Sequence, residues 1–156
     1  MLTSVSIRRA DPNDSTALAE FSRRFARDLT SHDWEFALDE KKHFIDLAED
    51  ERLFAFVCAG KPEHPDVLPE GTGEIFVCLV DPERRRLGIG RKLMIRAVTV
   101  LKRRGFERAF IWLPNDEVGG LVAWAVSLGF ELSEYERALG GGRSDHGYLL
   151  DLDSFF

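Results

Sequence analysis

The stretch VDPERRRLGIGRKLM, Val80 to Met94, leaves an apolar run, passes three consecutive arginines and two spaced glycines, and enters a helical pattern. Gly88 and Gly90 let the backbone approach a ligand without side-chain interference. The start of the following helix supplies amides with no intrahelical partner and the positive end of a macrodipole. Together these describe an anion site. Arg84, Arg85, Arg86, Arg91 and Lys92 add charge that suits a ligand with several phosphates.

Two common phosphate-binding patterns do not fit. A Walker loop requires Lys and then Ser or Thr after its second glycine, whereas Gly90 is followed by Arg91 and Lys92, with no hydroxyl for magnesium. A dinucleotide fingerprint requires a third glycine where Leu93 stands, and an acidic residue ending the next strand, where Pro114 and Asn115 stand.

Working outward, Gly88 to Arg104 is the clearest helix, with Ile89, Leu93, Met94, Ala97 and Leu101 on one stripe and Gly105 as its stop. Before it, RLFAFVCA (Arg52 to Ala59) and GEIFVCLV (Gly73 to Val80) are apolar runs of strand length, rich in Phe and Val. After it, RAFIWLP (Arg108 to Pro114) returns as a strand. Strand, helix, strand in this order predicts a parallel pair.

Val5 and Ile7 predict a first strand. Asp11 and Pro12 then start a helix running to about Asp28, with Leu18, Phe21, Phe25 and Leu29 on its buried face. Asp28 to Glu51 holds nine acidic residues and two lysines, and Trp34, Ala37, Leu38, Phe44, Ile45 and Ala48 suit a second amphipathic helix. Its acidity reads either as a solvated face or as a wall attracting a cationic substrate. The proline-rich loop Gly60 to Thr72 leaves room for a short edge strand near Val67. A last helix is expected over Asp116 to Leu128, then strands near Phe130 to Arg137 and Gly147 to Leu152, linked by the loop LGGGRSDHG. The sum is one α/β (α+β) domain over residues 1–156, with a mixed, largely antiparallel sheet of six to seven strands and about four helices.

A chain of 156 residues with 44% hydrophobic and 31% charged residues suits one globule, burying on the order of 70% of its unfolded surface. The net charge of −6 argues against non-specific nucleic-acid binding. Cys58 and Cys78 each lie in an apolar run and read as buried free thiols, which fits a reducing cytoplasm. The N-terminal MLTSVSIRRADPND has no signal-peptide core, and no apolar run is long enough to span a membrane.

Arg85-Arg86-Leu87-Gly88-Ile89-Gly90 satisfies Arg/Gln-x-x-Gly-x-Gly/Ala at every position. It is preceded by CLVDPERR and followed by a long helix, a strand and a helix ending in SLGFE. This segment resembles the acetyl-CoA motif of the GNAT N-acetyltransferase superfamily, residue by residue over about Gly73 to Glu131. The resemblance implies a GNAT-like acyl-CoA N-acyltransferase fold with a splayed central parallel strand pair. It implies acetyl-CoA as donor, with the amides of Arg86 to Arg91 around its pyrophosphate. Cys78, Leu79 and Val80 would lend main-chain groups to the pantetheine arm, and Asn115 a hydrogen bond. No metal is implied. The reaction would be direct attack of a primary amine, from a small molecule or peptide, on the thioester, and a homodimer is compatible with such a family.

Glu74 stands where such enzymes often carry a glutamate base, and Leu79 is the strand amide best placed as oxyanion donor. His32, Asp33 and Glu35 are weaker candidates for the base. His43 reads as a surface or helix-face residue, and His64 and His146 as loop residues without metal-ligand spacing. The family commonly places an acid tyrosine four residues before the glycine of Leu-Gly-Phe, where this chain has Ala125. Ser127, Tyr135 and Tyr148 are the remaining hydroxyls to weigh, and Trp124 reads as a core anchor or a wall of the acyl arm. The missing tyrosine leaves open a second reading, a coenzyme A binding sensor or regulatory module without turnover.

Overall fold

The computed structural model describes residues 4–25, 42–114 and 121–155. The chain begins with β1 (Ser6–Arg9). Asp11 then accepts the amide hydrogen of Asn13 while Asp14 accepts that of Asp11. With Pro12 at the first helical position, this starts a 3-10 turn that runs on into α1 (Ser15–Phe25). Leu18 and Phe21 of α1 are buried in one apolar cluster with Ile45, Leu47, Phe56 and Cys58. Arg8 secures this corner, its guanidinium 2.8 Å from Asp14 and 2.8 Å from Glu49.

The further elements among the described residues are β2 (His43–Glu49), β3 (Leu53–Gly60), β4 (Thr72–Val80), α2 (Ile89–Arg103), β5 (Arg108–Pro114), α3 (Leu121–Ser127), β6 (Glu131–Gly140), β7 (Arg143–Asp151) and the single turn α4 (Leu152–Phe155). The seven strands form one sheet in the order β1-β2-β3-β4-β5-β7-β6. Every neighbouring pair is antiparallel except β4 and β5, which are parallel and joined through α2. The mixed, largely antiparallel sheet and its central parallel pair are therefore as the strand, helix, strand order predicts. The stripe Ile89, Leu93, Met94, Ala97 and Leu101 is fully buried, packed over one face of the sheet together with Ala125 and Leu128 around α3. The other face carries α1.

Three expectations need correction. The second half of the stretch expected as an amphipathic helix is β2, and Trp34, Ala37 and Leu38 lie outside the described residues. Phe44 through Ala48 are all buried, Phe44 and Ala48 under α2 and Ile45 and Leu47 under α1. A strand covered on both faces loses its alternation, so its apolar run is indistinguishable from a buried helix by period alone. Asp46 disguised it further: it is fully buried, with Arg9 at 2.6 Å and Arg96 at 3.3 Å.

The expected edge strand near Val67 is absent, that segment being a series of turns. The glycine-rich linker is mostly ladder. The β6-β7 hairpin closes at Gly140 opposite Arg143, with φ of 62° at Gly141 and 77° at Gly142. Two successive positive φ values are what a tight two-residue hairpin turn requires. The expected helix end at 26–28 and helix start at 116–120 lie outside the described residues.

Candidate active site

β4 and β5 pair only from Thr72 opposite Arg108 to Ile75 opposite Ile111. On its other edge β4 follows β3, but Ile75 faces Ala59 and Val77 faces Cys58, so Phe76 is an extra residue. Such a bulge bends and twists its strand, and the divergence from β5 begins there. Thr72 to Ile75 are buried, whereas Phe76 to Val80 are half-buried. Among the described residues, the β5-facing edge of Cys78, Leu79 and Val80 has no strand partner, leaving main-chain groups for a ligand.

Asp81 follows, its carboxylate accepting the Glu83 amide at 3.0 Å and starting a 3-10 turn over Pro82–Leu87. Gly88 has φ 73°, a left-handed conformation costly for any residue with a Cβ, and its Cβ direction is open space. It turns the chain from the 3-10 helix directly into α2. Gly90 lies near Val80 and Trp124, with a Cβ position 3.4 Å and 3.8 Å from their side chains, and its carbonyl accepts the Cys78 thiol at 3.9 Å. The open edge of β4, the start of α2 and Trp124 thus converge on one place. The glycine motif and the splayed strands fit a long polyanion with a slender arm, the form of a coenzyme A.

The charged residues of the motif divide. Arg84 pairs with Asp50 and stacks 4.6 Å over the Phe54 ring, so its charge is spent on the β2-β3 turn. Arg91 and Lys92 are exposed, and Arg91 reaches the Ser127 hydroxyl at 3.5 Å. Ile89 is buried and can offer only main chain to a ligand. Arg85, Arg86 and Leu87 belong to the 3-10 turn, but their side chains, like Asn115 entirely, lie outside the described residues.

Glu74 stands at the inner end of the splay, opposite Gly60 on β3 and Phe110 on β5. It is 8% exposed and lines a cavity of about 290 Å³. Burial pushes its carboxyl up to about 7. The Arg137 charge and a hydrogen bond from the Glu63 backbone oppose that rise, while the Glu63 charge adds to it. Glu63, His64, Val67 and Leu68 of the β3-β4 loop close one side of the cavity, and Trp112, Glu136 and Arg137 the other. Arg137 holds Asp145 at 2.8 Å and lies 4.6 Å above the Trp112 ring. Phe110, edge-on to Trp112 and Tyr135, supports this wall. None of these partners was signalled by spacing in the sequence, since four separate elements bring them together.

The other candidates are dispersed. His32, Asp33 and Glu35 lie outside the described residues. His43 is a β2 residue packed edge-on against Phe76 at 5.1 Å, and His146 is a β7 residue opposite Leu113. Among the described histidines, His64 alone reaches the Glu74 cavity. Among the described residues no three His, Cys, Asp or Glu side chains could hold a metal ion. Of the acidic stretch, Asp46, Glu49 and Asp50 are engaged by arginines and form no open wall.

Ala125 is 1% exposed and packed in the α2-side core. Tyr148 belongs to that same core cluster, Tyr135 lies against Phe110, and Ser127 donates to the Trp124 carbonyl at 2.6 Å. Trp124 packs on the edge of that core as well. Burial pushes both thiols, Cys58 and Cys78, up to about 12, so neither is a nucleophile at neutral pH.

A sequence profile of the acetyltransferase (GNAT) family matches residues 9–130. The mycothiol acetyltransferase of Geodermatophilus obscurus is 30% identical over 66 residues, covering 41% of this chain and 21% of that protein, so the match spans about a fifth of that relative. Two solved structures share the fold over nearly their whole length. The yncA structure from Salmonella typhimurium with acetyl-CoA has a TM-score of 0.79 at 20% identity, covering 97% of this chain and 95% of that one. The ribosomal-protein-S18-alanine N-acetyltransferase from Escherichia coli has a TM-score of 0.77 at 18% identity, covering 96% and 94%.

Proposed function

The chain belongs to the acetyltransferase (GNAT) family, and from that premise we propose that it moves the acetyl group of acetyl-CoA to a primary amine by direct attack in a ternary complex. The observation that carries this reading is Glu74, a buried carboxyl raised to about 7 at the inner end of the splayed pair. A carboxyl in that range can take a proton near neutral pH.

The donor would lie in the opening between β4 and β5. Main-chain groups of Arg86 to Arg91 would meet its pyrophosphate, and those of Cys78 to Val80 its arm. Acetyl-CoA supplies the thioester, whose carbon–sulfur bond breaks as the amine nitrogen bonds to the acetyl carbon, the electron pair leaving with sulfur. Glu74 takes the proton that the attacking ammonium must lose, directly or through water, and passes it to solvent. The oxyanion donor we assign is an amide next to Leu79, that of Cys78 or Val80: the Asp81 amide donates to the Phe54 carbonyl of β3, and alternation along the strand turns the Leu79 amide towards β3 as well. Trp124 over Gly90 covers the start of the arm's path. The site of action we assign is the cytoplasm, on the two free thiols.

Ala125 favours the rival reading, a coenzyme A sensor without turnover, because a family acid is missing there. A thiol of reference pKa about 8.5 is a tolerable leaving group unprotonated, so catalysis does not depend on that acid. The deciding measurement is thiol release from acetyl-CoA across a panel of amines. Amine-dependent release supports the enzyme, and tight coenzyme A binding with no amine-dependent release establishes the sensor.

A further inference from the structure

The cavity beside Glu74 has a composition that narrows the acceptor. Its volume of about 290 Å³ is at the lower end for small-molecule sites, which favours a compact molecule over a folded protein surface. Three carboxylates line it: Glu74 at the inner end, Glu63 on the β3-β4 loop and Glu136 on β6. Among the described residues the basic groups on the wall are Arg137 and the exposed imidazole of His64. The Arg137 Nε and Nη2 lie 2.9 Å and 2.8 Å from one oxygen of Asp145, and its guanidinium face is on Trp112. That guanidinium is shared between its Asp145 ion pair and the Glu74 carboxyl that its charge also reaches, so it is less available to an acceptor carboxylate. Between the acidic groups Val67, Leu68 and Trp112 present an apolar strip.

We propose that the acceptor is a short aliphatic diamine, one amine attacking beside Glu74, the methylenes along Val67, Leu68 and Trp112, and the second ammonium between Glu63 and Glu136. This rests on the transferase reading above and adds the substrate class to it. The physical reason is that like charges around a small cavity repel, the Glu63 charge opposing ionisation of Glu74 even though the Glu63 backbone hydrogen-bonds that carboxyl, and a second cation relieves the repulsion. A monoamine leaves Glu63 and Glu136 unpaired, and an amino acid brings a fourth carboxylate. The balance of the reaction is one N–C bond for one C–S bond, giving a mono-acetylated diamine, coenzyme A thiol and a proton.

The test is thiol release by the full-length protein with diamines of three to six carbons, the matching monoamines, and the matching ω-amino acids. The expected result is a kcat/KM for the best diamine about tenfold or more above its monoamine, the worth of one charge-assisted contact, with the amino acid below both. In Glu63→Gln/Glu136→Gln, both at exposed positions, the diamine-to-monoamine ratio should fall towards one through the diamine's KM. Equal rates for diamine and monoamine, or a preference for the amino acid or a peptide N-terminus, would overturn the substrate class and leave the transferase reading standing. Silence of every amine alongside coenzyme A binding would instead remove the transferase reading, and this inference with it.

Discussion

Arg84 is held by Asp50, the carboxylate of the β2-β3 turn gripping a guanidinium that also stacks on Phe54. Asp50 in turn accepts the amides of Glu51 and Arg52. The pair ties the 3-10 turn over Pro82–Leu87 to the sheet, and so holds the start of the loop proposed to meet the donor's phosphates. Arg84 holds the Asp50 carboxyl below the usual carboxylate range, and the pair therefore persists into mildly acid solution.

Breaking that pair should loosen the loop and leave the chemistry intact. Asp50→Ala and Arg84→Ala are each expected to raise KM for acetyl-CoA several-fold with kcat nearly unchanged. Steady-state kinetics read this directly, and an equal fall in kcat would contradict a positioning role.

Glu74 controls the acid limb of the pH profile. With its carboxyl near 7, kcat/KM should rise as pH increases through about 7, following deprotonation of the base while Arg137, Glu63, Glu136 and His64 surround it. Glu74→Gln should lose about 10²-fold or more in kcat and flatten that limb.

The same group should make folding stability fall with pH. A carboxyl whose folded pKa is raised binds its proton more tightly when folded. Its contribution is therefore complete below its unfolded value, near 4.5, and is lost as pH rises through about 7. Glu74→Gln is expected to be more stable than wild type at pH 8 by up to about 3 kcal/mol, and close to it at pH 4. Denaturant titration at the two pH values checks the sign.

Among the described residues the hydroxyls to weigh as the acid are Ser127 at the end of α3, Tyr135 and Tyr148. Tyr148→Phe, Tyr135→Phe and Ser127→Ala should each retain kcat within about threefold, since the thiolate leaves without a strong acid. A tenfold or larger loss confined to Tyr148→Phe would make that residue the acid, as it shares the Ala125 cluster.

Gly88 is a conformational requirement and not a packing one. Its φ of 73° is left-handed while nothing lies within 4 Å of a Cβ there. Gly88→Ala should cost about 1–2 kcal/mol of local strain and weaken coenzyme A binding, with the global unfolding transition little changed. Isothermal titration and a thermal melt separate the two effects.

Much of this protein is written locally. The helix stripe from Ile89 to Leu101 and the capping of Asp11 and Pro12 depend on neighbours three or four residues away, and so does the loop from Arg85 to Gly90. All three follow from residue order. The parallel pair follows too, because a helix of that length must carry the chain back across the sheet. What escaped was whatever depends on partners distant in the chain. β2 reads as helix because both its faces are covered and because Asp46 is neutralised by Arg9 and Arg96. Arg84 reads as a phosphate ligand until Asp50 is seen to take it.

Glu74 is a candidate in the sequence only through the resemblance to a family that often carries a glutamate at the start of that strand. Its environment was decided by tertiary structure alone: β4, β5, β6 and the β3-β4 loop bring Trp112, Arg137, Glu63 and Glu136 around it. The proposed donor site is made of main chain, whose course sequence dictates through glycine and capping residues. The proposed acceptor cavity is made of side chains from four elements, and their mutual charge and burial exist only once the sheet has formed.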